Sequence, residues 1–190
     1  TFTGAVSNMG DGTGAAVTIA STGLAHFQST VGGASGIVSS NAAGSTRFDG
    51  DVTLTNGDTA TNLAGNVALD GLNWSSFDGI TFGATTLSTG PVSLDSNAGN
   101  IGIASIAGGG QDLLLAGGIG AGTTTVTGNV TNLGDGTGAA LDVNNGATGL
   151  VNFQGTFAGN SGLTAGAATS VQFDVGAVGG FTNDVTLAAS

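Results

Sequence analysis

TVTGNVTNLGDGTGAA, residues Thr125–Ala140, repeats TFTGAVSNMGDGTGAA, residues Thr1–Ala16, at twelve of sixteen positions. The likeness runs on downstream. Gly23–Gln28 (GLAHFQ) returns as Gly149–Gln154 (GLVNFQ), Phe48-Asp49 as Phe173-Asp174, and Asp51–Leu54 (DVTL) as Asp184–Leu187 (DVTL). The offset moves from 124 to 126, back to 125 and then to 133, so insertions lie between the matched segments. Repetition that slips at turns is the mark of a solenoid or tandem array. The chain divides into one full period, residues 1–124, and the opening of a second, residues 125–190, in one continuous stack without a linker.

Outward from that stretch, the hydrophobic signal comes in short alternating triplets. Val17-Thr18-Ile19, Val52-Thr53-Leu54, Ile80-Thr81-Phe82, Val92-Ser93-Leu94 and Val151-Asn152-Phe153 are examples. Apolar residues at i and i+2 flanking a small or polar residue make a half-buried strand. Gly, Asn, Asp and Ser fill the gaps, and no segment keeps a 3.6-residue period for three turns. A second pattern sets a Gly or Ser midway between two apolar residues, as in Phe48-Asp-Gly50-Asp-Val52 and Leu63-Ala-Gly65-Asn-Val67. There the backbone must bend or pass close to a neighbour, which suits the corner of a β-helix rung.

The fold expected is therefore all-β, a right-handed parallel β-helix of roughly 20–25 residues and two strands per rung, with strands stacked at ~4.8 Å. Tandem antiparallel β-sandwich domains are the alternative. Hairpin dipeptides such as Asn56-Gly57 are too few to pair every strand. Aromatic residues, at 5%, are also sparse for a sandwich core.

Composition narrows the function. Gly makes up 38 of 190 residues, yet a 39% hydrophobic content and a mean hydropathy of +0.32 exclude disorder. Arg47 is the only Lys or Arg, all twelve acids are Asp, and the net charge is −11. Such a chain has almost nothing with which to neutralise phosphate, so nucleic acid is excluded as a partner. Absence of Cys removes disulfides and thiol chemistry. No apolar run reaches the ~18 residues of a membrane span, so no membrane insertion is expected in this segment. Thr1–Gly14 does not read as a signal peptide, and an export signal would lie outside this stretch.

The phrases Phe-Asp-Gly-Asp-Val-Thr-Leu (48–54), Gly-Asn-Val-Thr-Asn (128–132) and Gly-Pro-Val-Ser-Leu (90–94) resemble the repeat regions of filamentous haemagglutinin-type and autotransporter-type bacterial surface proteins. That resemblance implies a secreted β-helical adhesin shaft or extracellular fibre. It implies as partners further copies of the chain or its own continuation, and a host or surface glycan. An S-layer-like or pilus-like subunit is the second reading, and a carbohydrate-binding module the third.

Candidate sites are few. Gly10-Asp11-Gly12-Thr13-Gly14 recurs as Gly134-Asp135-Gly136-Thr137-Gly138, a turn in which Asp11 and Asp135 are weak Ca²⁺ candidates. Tight turns in which Gly supplies positive φ and Asp caps the backbone are the plainer reading. Asp49 and Asp51, near Asp58, are the other Ca²⁺ candidates and a conceivable glycosidase pair. Arg47 and His26 are each single, and their matches in the second copy are Gln172 and Asn152, so outward strand positions are expected for both. No catalytic residue, no metal ligand set and no cofactor is assigned; the chain is expected not to be an enzyme. Trp74, in Leu72-Asn-Trp-Ser-Ser-Phe77, is the candidate for stacking on a sugar, against burial in the core. Gly108-Gly109-Gly110 lacks a phosphate-loop lysine and reads as a turn. Thr-x-Thr pairs are too irregular for an ice-binding ladder.

Overall fold

The computed structural model describes residues 1–97, 99–117, 122–143, 149–166, 170–174, 178–179 and 185–187. Its first rung holds β1 (Val6–Met9), β2 (Val17–Thr18) and β3 (Leu24–Phe27); the second holds β4 (Val31–Gly33), β5 (Ile37–Ser39) and β6 (Ser45–Phe48). The third holds β7 (Val52–Leu54), β8 (Thr61–Leu63) and β9 (Asn66–Asp70). In the next two rungs one long strand turns the second corner, giving β10 (Asn73–Ser76) with β11 (Ile80–Ser88), then β12 (Val92–Ser96) with β13 (Ile101–Ala107). There follow β14 (Leu113–Gly117), β15 (Thr123–Val126) and β16 (Val130–Leu133), then β17 (Ala139–Val143), β18 (Leu150–Phe153) and β19 (Phe157–Gly159). The last strands are β20 (Gly162–Ala165), β21 (Ser170–Phe173), β22 (Val178–Gly179) and β23 (Val185–Leu187).

Among the described residues every strand pairing is parallel, and partners lie a rung apart in sequence. The chain is a parallel β-solenoid with three faces. Face one is the nine-stranded sheet β1-β4-β7-β10-β12-β14-β17-β20-β23. Face two runs β2-β5-β8-β11-β13-β15-β18-β21. Face three joins β3, β6 and β9 to the later halves of β11 and β13, then to β16, β19 and β22. Nine strands make eight steps, a stack about 38 Å long at ~4.8 Å per step. The antiparallel sandwich is thereby set aside, and three strands per rung replace the two expected.

Several strands escape the apolar count because inward slots hold hydroxyls. Ser39, Thr61, Ser76, Ser96 and Thr124 are all buried, so β5, β8, β10 and β15 do not show apolar residues at both i and i+2. Elsewhere the triplets mark strands as expected, with Val52 and Leu54 inward and Thr53 outward. The columns inside are continuous. On face one Val31, Val52, Trp74, Leu94, Leu115 and Val143 lie in successive rungs. On face three Phe2, Phe27 and Phe48 stack ring on ring, with centroids 4.8 and 5.0 Å apart. Each fully buried Leu, Ile or Phe contributes about 1.5–3 kcal/mol, and stacking supplies the same burial at every rung.

Corners are made where glycine permits backbone to lie on backbone. A Cβ on Gly65 would come within 2.2 Å of the Gly44 carbonyl oxygen, and one on Gly83 within 2.2 Å of that of Gly65. The Gly-centred pattern does mark corners.

Candidate functional site

Two outward features carry polar chemistry: the repeated Gly-Asp-Gly-Thr-Gly turns and a charged ladder on face three. The turns are alike in backbone detail. Asn8, Gly10, Gly12 and Gly14 have positive φ, as do Asn132, Gly134, Gly136 and Gly138. In each, the Asp carboxylate accepts two bonds from the Thr two residues on: Thr13 N–H at 2.9 Å and Oγ1 at 2.6 Å for Asp11, Thr137 N–H at 2.8 Å and Oγ1 at 2.7 Å for Asp135. Those bonds, side-chain first, hold both carboxyls below the ordinary aspartate pKa. Each is a local turn cap. Gly14 N–H also reaches Asp58, tying the first loop to the rung two steps on.

The sequence copies do not occupy the same faces. Phe2 bridges to Phe27 on face three, Val6–Met9 forms β1 on face one, and Val17 opens β2 on face two. The matching Val126 ends β15 on face two, Val130–Leu133 forms β16 on face three, and Ala139 opens β17 on face one. From β1, first strand of the first rung, to β16, third strand of the sixth, is five rungs and two faces. The repeat is thus rotated by one face. Thr125 lies inside β15, so the second copy begins within a strand.

The ladder gathers the chain's single His and single Arg. His26, Arg47 and Ala68 are register partners in β3, β6 and β9. His26 Nε2 lies 2.7 Å from Asp49 Oδ2, and Arg47 Nε donates to Asp49 Oδ1 at 2.6 Å. Arg47 Nη2 donates to Asp70, whose other oxygen accepts from Ser88 Oγ at 3.0 Å and from Thr89 Oγ1. Burial works against ionisation of Asp49, but the bonds from Arg47 and His26 outweigh it and its pKa is lowered. The hydrogen bond to Asp49 raises the pKa of Arg47 in turn. The second copy rebuilds this arrangement with amides: Asn152 Nδ2 donates to Asp174 Oδ2 at 2.8 Å, and Gln172 Nε2 donates to Asp174 Oδ1.

Asp49 and Asp51 do not share a strand face. Gly50 sits at the corner between β6 and β7, a Cβ there lying 2.7 Å from the Ser29 carbonyl carbon, and the corner splits the two carboxylates. Asp49 turns to His26 and Arg47, while Asp51 accepts Asn73 N–H at 2.8 Å. Among the described residues, no group of three or more His, Cys, Asp or Glu is arranged to hold a metal ion.

Trp74 is a correction to the sugar-stacking candidate. It is 1% exposed and packs edge-on against Phe48 and Phe82, both at 5.0 Å, so neither ring face is open to a ligand. Alternation along Leu72–Phe77 puts Leu72, Trp74 and Ser76 inward and leaves Phe77 outside, 44% exposed. The aromatic that sequence reasoning passed over is Phe77, and strand parity was the signal for it. Gly109 and Gly110 have positive φ and form the expected turn. No protein-family model, curated protein or solved structure matches the chain. Among the described residues no helix is long and apolar enough to cross a membrane.

Proposed function

We propose that the chain is a structural segment of a secreted surface protein, a rigid β-solenoid shaft of adhesin or fibre type that grows by adding rungs. One observation carries this reading. Val126, in the second copy, is fully buried between its register partners Ile103 and Phe153, and the matching Phe2 stacks on Phe27 in the first rung. The same motif position is apolar in both places and is covered wherever a rung lies over it. A cleft of about 290 Å³ is bordered by Phe2, Val17, Ile19, Leu24 and Phe27, at and next to the first rung. Apolar surface and free strand edges together are a template for a further parallel strand.

The occupant is a rung of the same kind, from the same chain or a second copy. The sheets bond their own backbone, the columns fill the inside, and Thr, Asn and Asp face outward, so the work of the segment is mechanical. Near-absence of Lys and Arg removes trypsin-type cleavage sites, which suits an extracellular setting.

Electron microscopy of the native material tests the shaft. A rod with a ~4.8 Å axial repeat is expected. Compact particles that neither extend nor associate would remove the reading. For association, Phe2→Asp with Leu24→Asp is expected to abolish end-to-end oligomers in sedimentation while leaving the β-sheet circular dichroism in place.

A further inference from the structure

Outward residues on face one form a trough beside the corner that leads to face two. Thr53, Ser75 and Asp95 are register partners, one per rung. Thr55, Phe77 and Asn97 follow the inward residues Leu54, Ser76 and Ser96 in the same three rungs and make a second line. Together these six border a cleft of about 380 Å³. A second cleft of about 350 Å³ shares Thr53 and Thr55 and carries the trough toward Ser7 and Asn8. The whole runs parallel to the solenoid axis.

Among the described residues lining this cleft, Phe77 is the exposed large apolar side chain, and Leu54 lies buried beneath it in the core. Its ring is held in place. A Cβ at Gly57 would lie 2.7 Å from Phe77 Cδ1 and 2.9 Å from Cε1, so the absence of a side chain at 57 is what lets the ring edge rest on that backbone. The backbone N–H of Phe77 is fixed to the Leu54 carbonyl at 2.8 Å. An aromatic ring on a rigid strand end, 44% exposed, flanked by hydroxyl, amide and carboxylate groups, presents an apolar plate and hydrogen-bonding edges together.

We propose that this trough binds a neutral, extended oligosaccharide, with one pyranose stacked on Phe77 and hydroxyls of that ring and its neighbours bonded to Asp95, Asn97, Ser75 and Thr53. A sugar ring matches these groups because its C–H face is apolar and its rim is a circle of hydroxyls. The chain's net charge of −11 and the carboxylate of Asp95 select against polyanionic glycans. Regular spacing of the two lines, at ~4.8 Å per rung, favours a linear ligand lying along the axis. Burial raises the pKa of Asp95, consistent with a carboxylate set into the trough and not standing clear of it. The proposal does not rest on the shaft reading, since it concerns one face of a single chain.

The test is isothermal titration and saturation-transfer NMR on the chain with cellohexaose, chitohexaose and mannohexaose, and with a heparin hexasaccharide as the charged control. At least one neutral hexaose is expected to bind, with Phe77 in contact. Phe77→Ala is expected to weaken that binding tenfold or more at unchanged melting temperature, Phe77→Tyr to retain it, and Asn97→Ala to weaken it severalfold. Trp74→Phe, a core change, is expected to leave it alone. Failure of every neutral hexaose at millimolar concentration, equal binding by Phe77→Ala, or preference for heparin would each overturn the proposal. Because the trough lies on one face of the solenoid and not at an end, binding can fail while rods still form, and the reverse.

Discussion

Asn152 stands to Asp174 as His26 stands to Asp49. The Asn152 amide lies 2.8 Å from its carboxylate and the His26 imidazole 2.7 Å from its own, although the first pair is on face two and the second on face three. Behind them the rings keep step. Phe27 and Phe48 stack at 5.0 Å, Phe153 and Phe173 at 5.3 Å. A unit of outward polar side chains, Asp anchor and inward ring pair therefore fits either face, because both faces are made of the same strand and corner.

That equivalence predicts which part of the ladder matters. If a neutral donor serves as well as a charged one, the double variant His26→Asn with Arg47→Gln should lose no more than about 1 kcal/mol, the range of partly exposed ion pairs. Asp49→Ala should lose more, about 1–2 kcal/mol, because it strips the shared acceptor from two donors. Urea unfolding of the three proteins ranks them. Equal losses for the double variant and Asp49→Ala would show that charge, and not the acceptor, holds the ladder.

Acid titration should give a stability maximum below neutral pH. Asp11, Asp49 and Asp135 have pKa values below the ordinary 3.8, so their contribution is present above that value and is lost as pH falls through the folded pKa. Asp95 and Asp112 go the other way. Burial raises both, and the charge of Asp135 adds to the effect at Asp112. Their contribution is present below the ordinary value and is lost as pH rises through the raised pKa. Melting temperature should rise as pH is lowered from neutral through the raised pKa values of Asp95 and Asp112, and fall again below the ordinary aspartate value, through the lowered pKa values of the other three. Relief of the −11 net charge acts in the same direction on the first limb. Asp95→Asn with Asp112→Asn should shrink that rise. A steady fall from neutrality downward would contradict the assignment.

Stacked corners give a sharper test. Gly65→Ala places a Cβ 2.2 Å from the Gly44 carbonyl oxygen, a clash with backbone that no rotamer can relieve, and should destabilise by about 2–4 kcal/mol. Gly4→Ala meets nothing within 4 Å and should stay within about 0.5 kcal/mol. Thermal melts of the pair decide it. Similar effects at both sites would mean that the corner backbones are not in contact.

Much of this architecture is legible before any coordinates. Triplets such as Val92-Ser93-Leu94 and Ile101-Gly102-Ile103 fall on strands, and Gly50 and Gly65 fall at corners. What was not legible has a physical cause. Thr61 and Thr124 occupy inward slots in line with Ile80 and Ile101, so a rule that counts apolar residues misses β8 and β15 while marking β11 and β13 on the same face. The rotation of the repeat follows from a period of about 125 residues set against register steps that vary from 18 (Val67 to Thr85) to 28 (Leu115 to Val143), so that the period spans five rungs and two faces, and only the stacking register gives those steps. The ladder joins residues 23 apart, His26 to Asp49 and Arg47 to Asp70, and depends on the same register.

Trp74 offers the last test, because its burial pulls in two directions. The indole fills the core between Phe48 and Phe82, yet among the described residues its Nε1–H has no hydrogen-bond partner. An unmet buried donor costs about 1–3 kcal/mol, while loss of the whole side chain leaves a cavity worth about 3–5 kcal/mol. Trp74→Phe removes the donor and keeps most of the ring, so the two effects should nearly cancel, within about 1 kcal/mol of the native chain. Trp74→Ala should show the full cavity penalty. Chemical denaturation of both variants separates the effects, and a Trp74→Phe loss as large as that of Trp74→Ala would mean that the indole nitrogen is bonded in solution. A water reached through the wall of face one would then be the partner to look for, and the core at this rung would be wetter than its packing shows.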